Sequence, residues 1–427
     1  MKLAVVGLGK IGLPIAMQAC SKGVEVTGCD INQRVVENLN RGINHIKEEP
    51  GIDEKLKDAL EKGLFRATTE TSKAVSESDV VIIVVPLVVD KEKNVDYRII
   101  DAATRDVARG LRKGTLVIYE TTLPVGDTRN HMKPLLEEGS GLKAPADFYL
   151  AFSPERVYTG QVFRNLSEYP KIVGGIDEES AKKAEEFYRR ILDAEIIRVA
   201  NSETAEMVKI MGMTYRDVNI ALANEFAKFA QKKGIDIKEA IEACNTNPHS
   251  HVLRPGIGVG GHCAPVYPYF IINEGKRIGS RITLAEEARK INDEMAKYAT
   301  GLLAKELGGL KEKRVLILGL AFRENVKETA FTTTRFIIDN LLEEGARVLL
   351  HDPLFSKEEI EEWAPFCEMG KDKIDAAIMQ AYHREYQDMD FGVLKKMGCK
   401  VFLDGRNMVP REKAERAGIR YIGMGIN

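Results

Sequence analysis

Residues 3–14 read LAVVGLGKIGLP, and this stretch decides the fold of the first part of the chain. An apolar run leads into a glycine-rich turn, and a helical pattern follows. In such a unit the first glycine permits a tight turn, the second lets a pyrophosphate approach the backbone, and the third packs helix against strand. The N–H groups that begin the helix then bind phosphate. The stretch predicts a dinucleotide site with contacts from Gly7, Gly9, Lys10, Ile11 and Gly12.

A carboxylate at the end of the second strand-like run indicates which dinucleotide fits. Asp30 lies 18 residues after Gly12. A carboxylate there accepts hydrogen bonds from both ribose hydroxyls and repels a 2′-phosphate, so NAD is favoured over NADP. The alternative is an ordinary strand–helix turn with an aspartate that caps a helix. The strand–turn–helix context favours the dinucleotide.

Composition narrows the class of protein. The chain has 427 residues, 44% of them hydrophobic and 30% charged, which predicts a globular protein with more than one domain. A net charge of −2 gives no general attraction to nucleic acid or to an anionic membrane. The longest apolar stretch, Val80–Val89, is too short to cross a bilayer. Six cysteines without CxxC pairs predict no metal site and, with no visible signal peptide, a cytoplasmic location.

Strand-like and helical runs alternate over the first ~200 residues and again after residue 312, which predicts an α/β fold with two Rossmann-like, doubly wound parallel sheets. Between them, apolar residues recur at spacings of three and four, which predicts one helix of about 30 residues ending at Gly234. Its length suits a connection between domains that also packs against a partner subunit in a homodimer or higher oligomer. The predicted domains are 1–200 (NAD-binding), 201–311 (central helical) and 312–427 (a second Rossmann-like unit). The apolar positions of the helix are Val208, Met211, Tyr215, Val218, Leu222, Phe226 and Phe229.

Several stretches together resemble the UDP-glucose/GDP-mannose dehydrogenase family, and within it the UDP-N-acetyl-D-mannosamine (UDP-N-acetylhexosamine) 6-dehydrogenases. The resemblance implies a UDP-sugar substrate, bound by the domain 312–427, whose C6 hydroxyl is oxidised to a carboxylate with NAD. The matching stretches occur in the order of the family and span nearly the whole chain. They include ETTLPVGDTR (120–129), SPERVYTG (153–160), RPGIGVGGHCAPVYPYF (254–270), GLAFRENVKET (319–329) and LDGRN (403–407).

The resemblance also implies catalytic roles. Cys263 would capture the aldehyde intermediate as a thiol adduct, and Lys209 would stabilise charge on the substrate oxygen. Thr122 and Glu155 would position and activate the water that cleaves the resulting thioester. A lone cysteine is usually a buried apolar residue, and a helical lysine is usually solvated. Four glycines before Cys263 favour a loop that brings backbone close to a ligand.

The same resemblance supplies the predicted binding residues. It adds Pro86 and Thr121 to the cofactor contacts. Fixed cations suit a diphosphate that must be held during two oxidations, although a surface position is the common alternative for any arginine. The predicted UDP-sugar contacts are Arg254, Gly258, Gly260, Phe322, Arg323 and Arg406.

Four positions depart from the family pattern. Met213 and Tyr267 stand where the family has an asparagine and an aspartate, and Ala330 stands where it has an arginine. Leu87-Val88 replaces a threonine-proline pair. Loss of one oxyanion donor costs about a hundredfold or more in rate. Two alternatives therefore stay open: a relative that performs a single or reversible hydride transfer, and a catalytically silent protein that binds NAD or a UDP-sugar.

Overall fold

The computed structural model describes residues 1–426 and contains two compact units. The first unit comprises Met1–Gly212 and Tyr269–Ser280. The second comprises Met213–Pro268 and the chain from Arg281 onward. Among the helices of residues 1–426, none combines the length and apolar content that crossing a bilayer requires.

The first unit is built on an eight-stranded sheet with the strand order β10-β9-β8-β7-β4-β1-β2-β3. All neighbours in it are parallel except β8 and β9, which are antiparallel. A separate antiparallel pair, β5 and β6, lies outside this sheet. The strands are β1 (Lys2–Val6), β2 (Glu25–Cys29), β3 (Phe65–Thr68), β4 (Val80–Ile83), β5 (Val88–Val89), β6 (Val95–Asp96), β7 (Leu116–Tyr119), β8 (Tyr149–Phe152), β9 (Lys171–Gly175) and β10 (Ile196–Arg198).

Helices follow most of these strands and bury apolar residues against the sheet. In α1, for example, only the last residue, Ser21, is exposed, because the helix packs directly on the central strands. The helices of this unit are α1 (Gly12–Ser21), α2 (Gln33–Asn40), α3 (Ile52–Glu61), α4 (Thr71–Ser76), α5 (Arg98–Gly110), α6 (Lys133–Ser140), α7 (Val162–Glu168) and α8 (Glu178–Ile191), with a π-helical turn at Thr128–Met132.

The long predicted helix is present as α9 (Ser202–Lys233), and Gly234 follows it with a φ of +70°. Most of the apolar stripe points to solvent, whereas Lys209 is buried. The hidden face instead carries small and polar residues, which the apolar spacing did not reveal. The next helices are α10 (Ile237–Cys244), α11 (Tyr267–Arg277) and α12 (Thr283–Leu307).

The second unit contains a five-stranded parallel sheet of order β12-β11-β13-β14-β15 with an apolar cluster on each side. The prediction of two Rossmann-like parallel sheets is therefore confirmed. The strands are β11 (Arg314–Leu318), β12 (Arg347–His351), β13 (Ala376–Met379), β14 (Val401–Asp404) and β15 (Arg420–Gly423). The helices are α13 (Thr333–Glu343), α14 (Lys357–Glu361), α15 (Phe391–Met397) and α16 (Arg411–Arg416), with a 3₁₀ turn at Arg384–Tyr386.

Candidate active site

Strand register aligns several predicted site residues at one edge of the first sheet. The last residues of β1, β4, β7 and β8 pair with one another across the sheet. Four predicted residues each lie three positions beyond these strand ends: Gly9, Pro86, Thr122 and Glu155. Ligands of open α/β sheets bind outside the carboxyl ends of the strands. The register thus brings the predicted cofactor and catalytic residues of the first unit to one edge of its sheet.

The glycine turn between β1 and α1 has the dimensions that a dinucleotide needs. Gly7 has a φ of +94°, and a Cβ on it would lie 2.6 Å from the Val84 carbonyl oxygen. A Cβ on Gly12 would lie 1.9 Å from the Gly7 carbonyl oxygen, whereas one on Gly9 would meet no atom within 4 Å. Two glycines therefore serve close packing, and the middle one faces open space. This arrangement fits a pyrophosphate that approaches the backbone at Gly9.

Asp30 follows β2 directly and is held by backbone groups. Its Oδ2 accepts the Leu8 N–H at 3.1 Å, and its Oδ1 accepts the Asn32 N–H at 2.9 Å. The carboxylate is thus fixed beside the glycine turn, as a ribose contact requires. In the same region Ile11 precedes α1 as its N-cap, and Lys10 Nζ lies 3.4 Å from Glu48 Oε1.

The loop after β7 is tied to its neighbours on both sides. Thr121 Oγ1 donates to the Val85 carbonyl at 2.5 Å, which links this loop to the one that carries the exposed Pro86. Farther along, the carboxylate of Glu206 on α9 accepts the N–H groups of Gly126 and Thr128 at 2.5 and 2.8 Å. Thr122, which is buried, lies between these two fixed points.

Glu155 and Lys209 come together at the same edge. Lys209 Nζ donates to the Glu155 main-chain carbonyl. Glu155 Oε1 accepts the N–H groups of Arg156 and Val157 at 2.5 and 2.8 Å, so its carboxylate is clamped against its own loop. Both side chains are buried. Glu155 is thus a buried, hydrogen-bonded carboxylate.

Next to Glu155 lies a charged side chain, Lys171, that the sequence did not indicate as part of the site. Lys171, at the start of β9, places its Nζ 3.0 Å from Glu155 Oε2 and 3.1 Å from Glu120 Oε2. The Tyr188 hydroxyl donates to the other oxygen of Glu120. Burial raises the pKa of Glu120 to about 7. For Glu155, burial opposes ionisation, but Lys171 and the backbone N–H groups outweigh it and keep the pKa below its ordinary value.

The second unit carries Cys263 in a glycine loop before α11. Cys263 is partly exposed, in contrast to the four buried cysteines, whose pKa values burial raises to about 12. Gly261, with a φ of +93°, donates its N–H to the Ala330 carbonyl at 2.9 Å, and a Cβ there would lie 2.8 Å from the Phe322 ring. The loop therefore packs directly on Phe322 and leaves no room for a side chain at Gly261.

Buried polar side chains hold this loop from α9 and α12. Asn224 Oδ1 accepts the Gly256 N–H at 2.9 Å, and its amide donates to Asn292 Oδ1 at 2.8 Å. Asn292 and Arg289 both donate to Asp217 Oδ1, at 2.8 and 2.6 Å. The polar face of α9 thus connects through α12 to the beginning of the cysteine loop.

Of the predicted UDP-sugar contacts, Arg406 is half-buried and bonded to protein oxygens. Its Nε and Nη2 donate to the carbonyl and side-chain oxygens of Gln380 at 2.6 and 2.8 Å. Nη1 donates to the Gly258 carbonyl at 3.2 Å and Nη2 to the Phe322 carbonyl at 3.4 Å. The structure therefore brings Gly258, Phe322 and Arg406 together. Gly260 packs on Phe322, the Arg323 guanidinium lies 5.7 Å from the Phe322 ring, and Arg254 is exposed.

A buried aspartate after β12 supports the loop that carries Phe322. Asp352 Oδ2 accepts the N–H groups of Leu320 and Ala321 at 2.7 and 3.0 Å and lies 3.0 Å from His383 Nε2. His383 Nδ1 accepts the Asn325 N–H at 2.9 Å, which identifies Nε2 as the protonated nitrogen. The pair thus anchors both ends of the loop.

The four departures from the family pattern lie in varied surroundings. Leu87 is buried, and Met213 is partly exposed. The Tyr267 N–H donates to the Cys263 carbonyl at 2.9 Å, one helical turn beyond it. Ala330 serves the cysteine loop through its carbonyl rather than its side chain.

Along its length the sequence matches three domains described for one family. Residues 1–192 match the NAD binding domain of the UDP-glucose/GDP-mannose dehydrogenase family, residues 203–294 its central domain, and residues 316–411 its UDP binding domain. The chain belongs to the UDP-glucose/GDP-mannose dehydrogenase family. The predicted resemblance is confirmed, and this family member is an NAD-binding oxidoreductase.

Individual relatives of this family member match over their full length. A UDP-N-acetyl-D-mannosamine dehydrogenase from Pyrococcus horikoshii is 37% identical, with 100% of this chain and 99% of that protein covered. A UDP-N-acetyl-D-glucosamine 6-dehydrogenase from Pseudomonas aeruginosa is 33% identical, with 97% and 99% covered. Among solved structures, a UDP-D-ManNAc dehydrogenase from Pyrococcus horikoshii superposes with a TM-score of 0.91 at 36% identity, covering 100% of this chain and 99% of that one.

Proposed function

We propose that this protein oxidises the C6 hydroxyl of a UDP-N-acetylhexosamine, such as UDP-N-acetylmannosamine, to the uronic acid through a covalent adduct on Cys263. The observation that carries the proposal is the buried group at the edge of the first sheet, where Lys209 is bonded to the Glu155 loop beside Thr122 and the glycine turn. The names of the relatives support the substrate class.

The reaction divides between a thiol and a carboxylate. The Cys263 sulfur adds to the C6 aldehyde and forms a C–S bond, and oxidation of this adduct gives a thioester. Water then bonds to the thioester carbon, the C–S bond breaks, and its electron pair stays on sulfur. Glu155 acts as the base that takes a proton from this water, with Thr122 as the hydroxyl that orients it. An ionised, fixed carboxylate suits that role.

Lys209 provides positive charge for the substrate oxygen. An ammonium group has three donor hydrogens, so its bond to the Glu155 carbonyl is compatible with a second bond to substrate. Bound NAD supplies the hydride acceptor for both oxidations. The turn at Gly9 and the fixed carboxylate of Asp30 would hold it, with further contacts from Gly7, Lys10, Ile11, Gly12, Pro86 and Thr121.

For the UDP moiety, the proposed contacts are Arg254, Arg323, Phe322 and the backbone of Gly258 and Gly260. Arg406 supports them mainly from behind, because four of its five donor hydrogens already bind protein oxygens in the described part of the chain.

The decisive experiment counts NADH per sugar. Purified protein, NAD and a panel of UDP-sugars should give two NADH per sugar consumed, and the uronate should appear by mass spectrometry. Cys263→Ala should make no uronate, and Cys244→Ala, at an exposed cysteine, is its matched control. Uronate from Cys263→Ala at the normal rate would exclude the covalent route.

A second candidate is a single, reversible hydride transfer. The observation that favours it is Met213 and Tyr267 in place of an amide and a carboxylate, because methionine cannot donate to an oxyanion. One NADH per sugar, or a transient signal, would support this candidate. Binding of NAD or UDP-sugar without NADH would indicate a silent binding protein.

We also propose that α9 forms a homodimer contact. Five large side chains of the apolar stripe are between 41% and 61% exposed: Met211, Tyr215, Leu222, Phe226 and Phe229. Contiguous exposed apolar residues mark interaction surfaces, and a second copy presents the same stripe in a self-complementary contact. Light scattering should give twice the chain mass, Phe226→Glu should shift it to the monomer, and Lys232→Glu should not. A monomeric unaltered protein would exclude the dimer. A cytoplasmic location remains a prediction.

A further inference from the structure

Three buried side chains of the first unit form a chain of charge, which we call the acid–lysine chain: Glu155, Lys171 and Glu120. The Lys171 ammonium stands 3.0 Å from one carboxylate and 3.1 Å from the other. The side chains of Lys171, Glu120 and Glu155 are 6%, 0% and 11% exposed. The ammonium therefore bridges Glu155, at the reactive edge, to a carboxylate that has no access to solvent.

We propose that the acid–lysine chain is a proton relay that serves thioester cleavage, and this inference rests on the proposed function. Glu155 takes the proton from the attacking water. Lys171 gives one of its protons to Glu120 and is reprotonated by Glu155, so the net effect is transfer of one proton from Glu155 to Glu120. No net charge is created within the chain, and after product release the proton returns along the same path to Glu155, which releases it to solvent water.

The surroundings of the two carboxylates give the transfer a direction. Glu155 also receives two backbone N–H groups, which stabilise its ionised form. Glu120 faces Lys171, Glu155 and the Tyr188 hydroxyl, and it is fully buried, which stabilises its neutral form. Its pKa of about 7, against the lowered pKa of Glu155, drives a proton inward.

A purely structural role would not require this arrangement. Lys209, bonded to the Glu155 main-chain carbonyl, adds a second ammonium on the Glu155 side. Glu120 shares the Lys171 ammonium with Glu155, and an ionised carboxylate this deeply buried is costly unless it binds a proton. Tyr188 adds a donor to Glu120, and the Lys171 ammonium lies 5.0 Å from the Tyr188 ring. The group is thus built around a site that binds and releases one proton.

Glu120→Gln is the direct test, because the amide has nearly the same shape and still offers Lys171 an oxygen but cannot take up the proton. In rapid mixing with NAD and the UDP-sugar, we expect two NADH per active site in a normal first phase. Steady turnover should then fall at least tenfold, and mass spectrometry should find the acyl group on Cys263. The inflection near neutral pH in the turnover profile should disappear.

Tyr188→Phe provides a second, independent variant. The Tyr188 hydroxyl donates to the ionised form of Glu120 and lowers the pKa of that carboxyl. The relay needs an ionised Glu120 to accept the proton, so turnover rises with pH through the inflection. Removal of the hydroxyl should move the inflection to higher pH and leave the turnover at pH values well above it intact. Glu137→Gln is the matched control, because Glu137 is also paired with two lysines, at 2.8 and 3.1 Å, but lies outside the chain. Its profile should equal that of the unaltered protein.

A readout without cofactor completes the test. In protein labelled with ¹³C at the glutamate carboxyls, NMR should show a carboxyl that titrates near pH 7 and is absent from Glu120→Gln. An inflection that neither Glu120→Gln nor Tyr188→Phe moves would overturn the relay while leaving the proposed function intact. If the unaltered protein made no NADH from any UDP-sugar, the proposed function would fail and the relay with it.

Discussion

Arg406→Lys distinguishes a structural guanidinium from a ligand-binding cation. Lysine retains the positive charge but replaces a planar fork of five donors with a single ammonium. In the structure the fork makes two short bonds to Gln380, at 2.6 and 2.8 Å, and two longer bonds to the carbonyls of Gly258 and Phe322. An ammonium on a flexible stem can replace no more than one short bond and one long bond.

The expected loss follows from these bonds. A hydrogen bond from a charged donor contributes about 1.5–3 kcal/mol, and the long bonds contribute less. Loss of one short and one long bond should therefore lower the stability of the second unit by about 2–4 kcal/mol. At an m value of about 2 kcal/mol/M in urea, the unfolding midpoint should fall by about 1–2 M.

The single tryptophan makes this measurement specific. Trp363 packs, partly buried, against the core of the second unit, so its fluorescence reports the unfolding of that unit. Arg323→Lys is the control, because the Arg323 guanidinium lies over the Phe322 ring and should cost no more than about 0.5 kcal/mol. An unchanged midpoint for Arg406→Lys, with a tenfold loss of UDP affinity by calorimetry, would refute the structural role.

Three further predictions follow from the described contacts. Gly9→Ala should leave the melting temperature unchanged but weaken NAD binding at least tenfold by calorimetry. Gly12→Ala should instead lower the melting temperature, because its Cβ would lie 1.9 Å from a carbonyl oxygen. An NAD affinity of Gly9→Ala equal to that of the unaltered protein would contradict the cofactor site. Asn224→Ala leaves two buried polar groups without their partner and should lower the free energy of unfolding by about 2–6 kcal/mol. In a Cys244→Ser background, alkylation of Cys263 should become faster. An unchanged alkylation rate would show that other contacts hold the loop. Burial raises the folded-state pKa of Glu206 to about 8. Its contribution to stability is therefore complete below about pH 4.5 and is lost as the pH rises to 8, at no more than about 1.4 kcal/mol per pH unit. Glu206→Gln should make the urea midpoint less dependent on pH over this range, and an unchanged pH dependence of the midpoint would refute the assignment.

The parts of the fold that depend on local pattern were predictable. The glycine turn, Asp30 and the end of α9 at Gly234 each follow from steric or hydrogen-bonding requirements within a few residues. Strands β3 and β15 are hard to predict from the sequence because they are short and carry exposed charged residues, Arg66 and Arg420, which weaken their apolar signal.

The candidate site was less predictable where it depends on distant partners. Lys171 begins a strand and resembles any solvated lysine in the sequence, and only the fold shows that Glu120 and Glu155 surround it. The charge of Glu120 directly after the apolar strand β7 was the one available signal. The spacing of apolar residues likewise could not show whether the stripe on α9 faces the core or the outside. Packing against a core and packing against a partner subunit both require apolar residues at the same helical spacing.

Asp30 and Asp352 occupy equivalent places, each just after the second strand of its sheet and each bound to the N–H of the preceding turn. Asp30 remains at the surface of its unit, whereas Asp352 is enclosed with His383. Introducing glycines around Leu320 would therefore not create a second dinucleotide site. The Asp352 carboxylate, which would have to bind a ribose, already accepts hydrogen bonds from its own loop. A redesign would first have to replace His383, and with it the support of Asn325. The two units thus place an aspartate at the same position of the sheet, but in the second unit it supports its own loop and does not face a ligand.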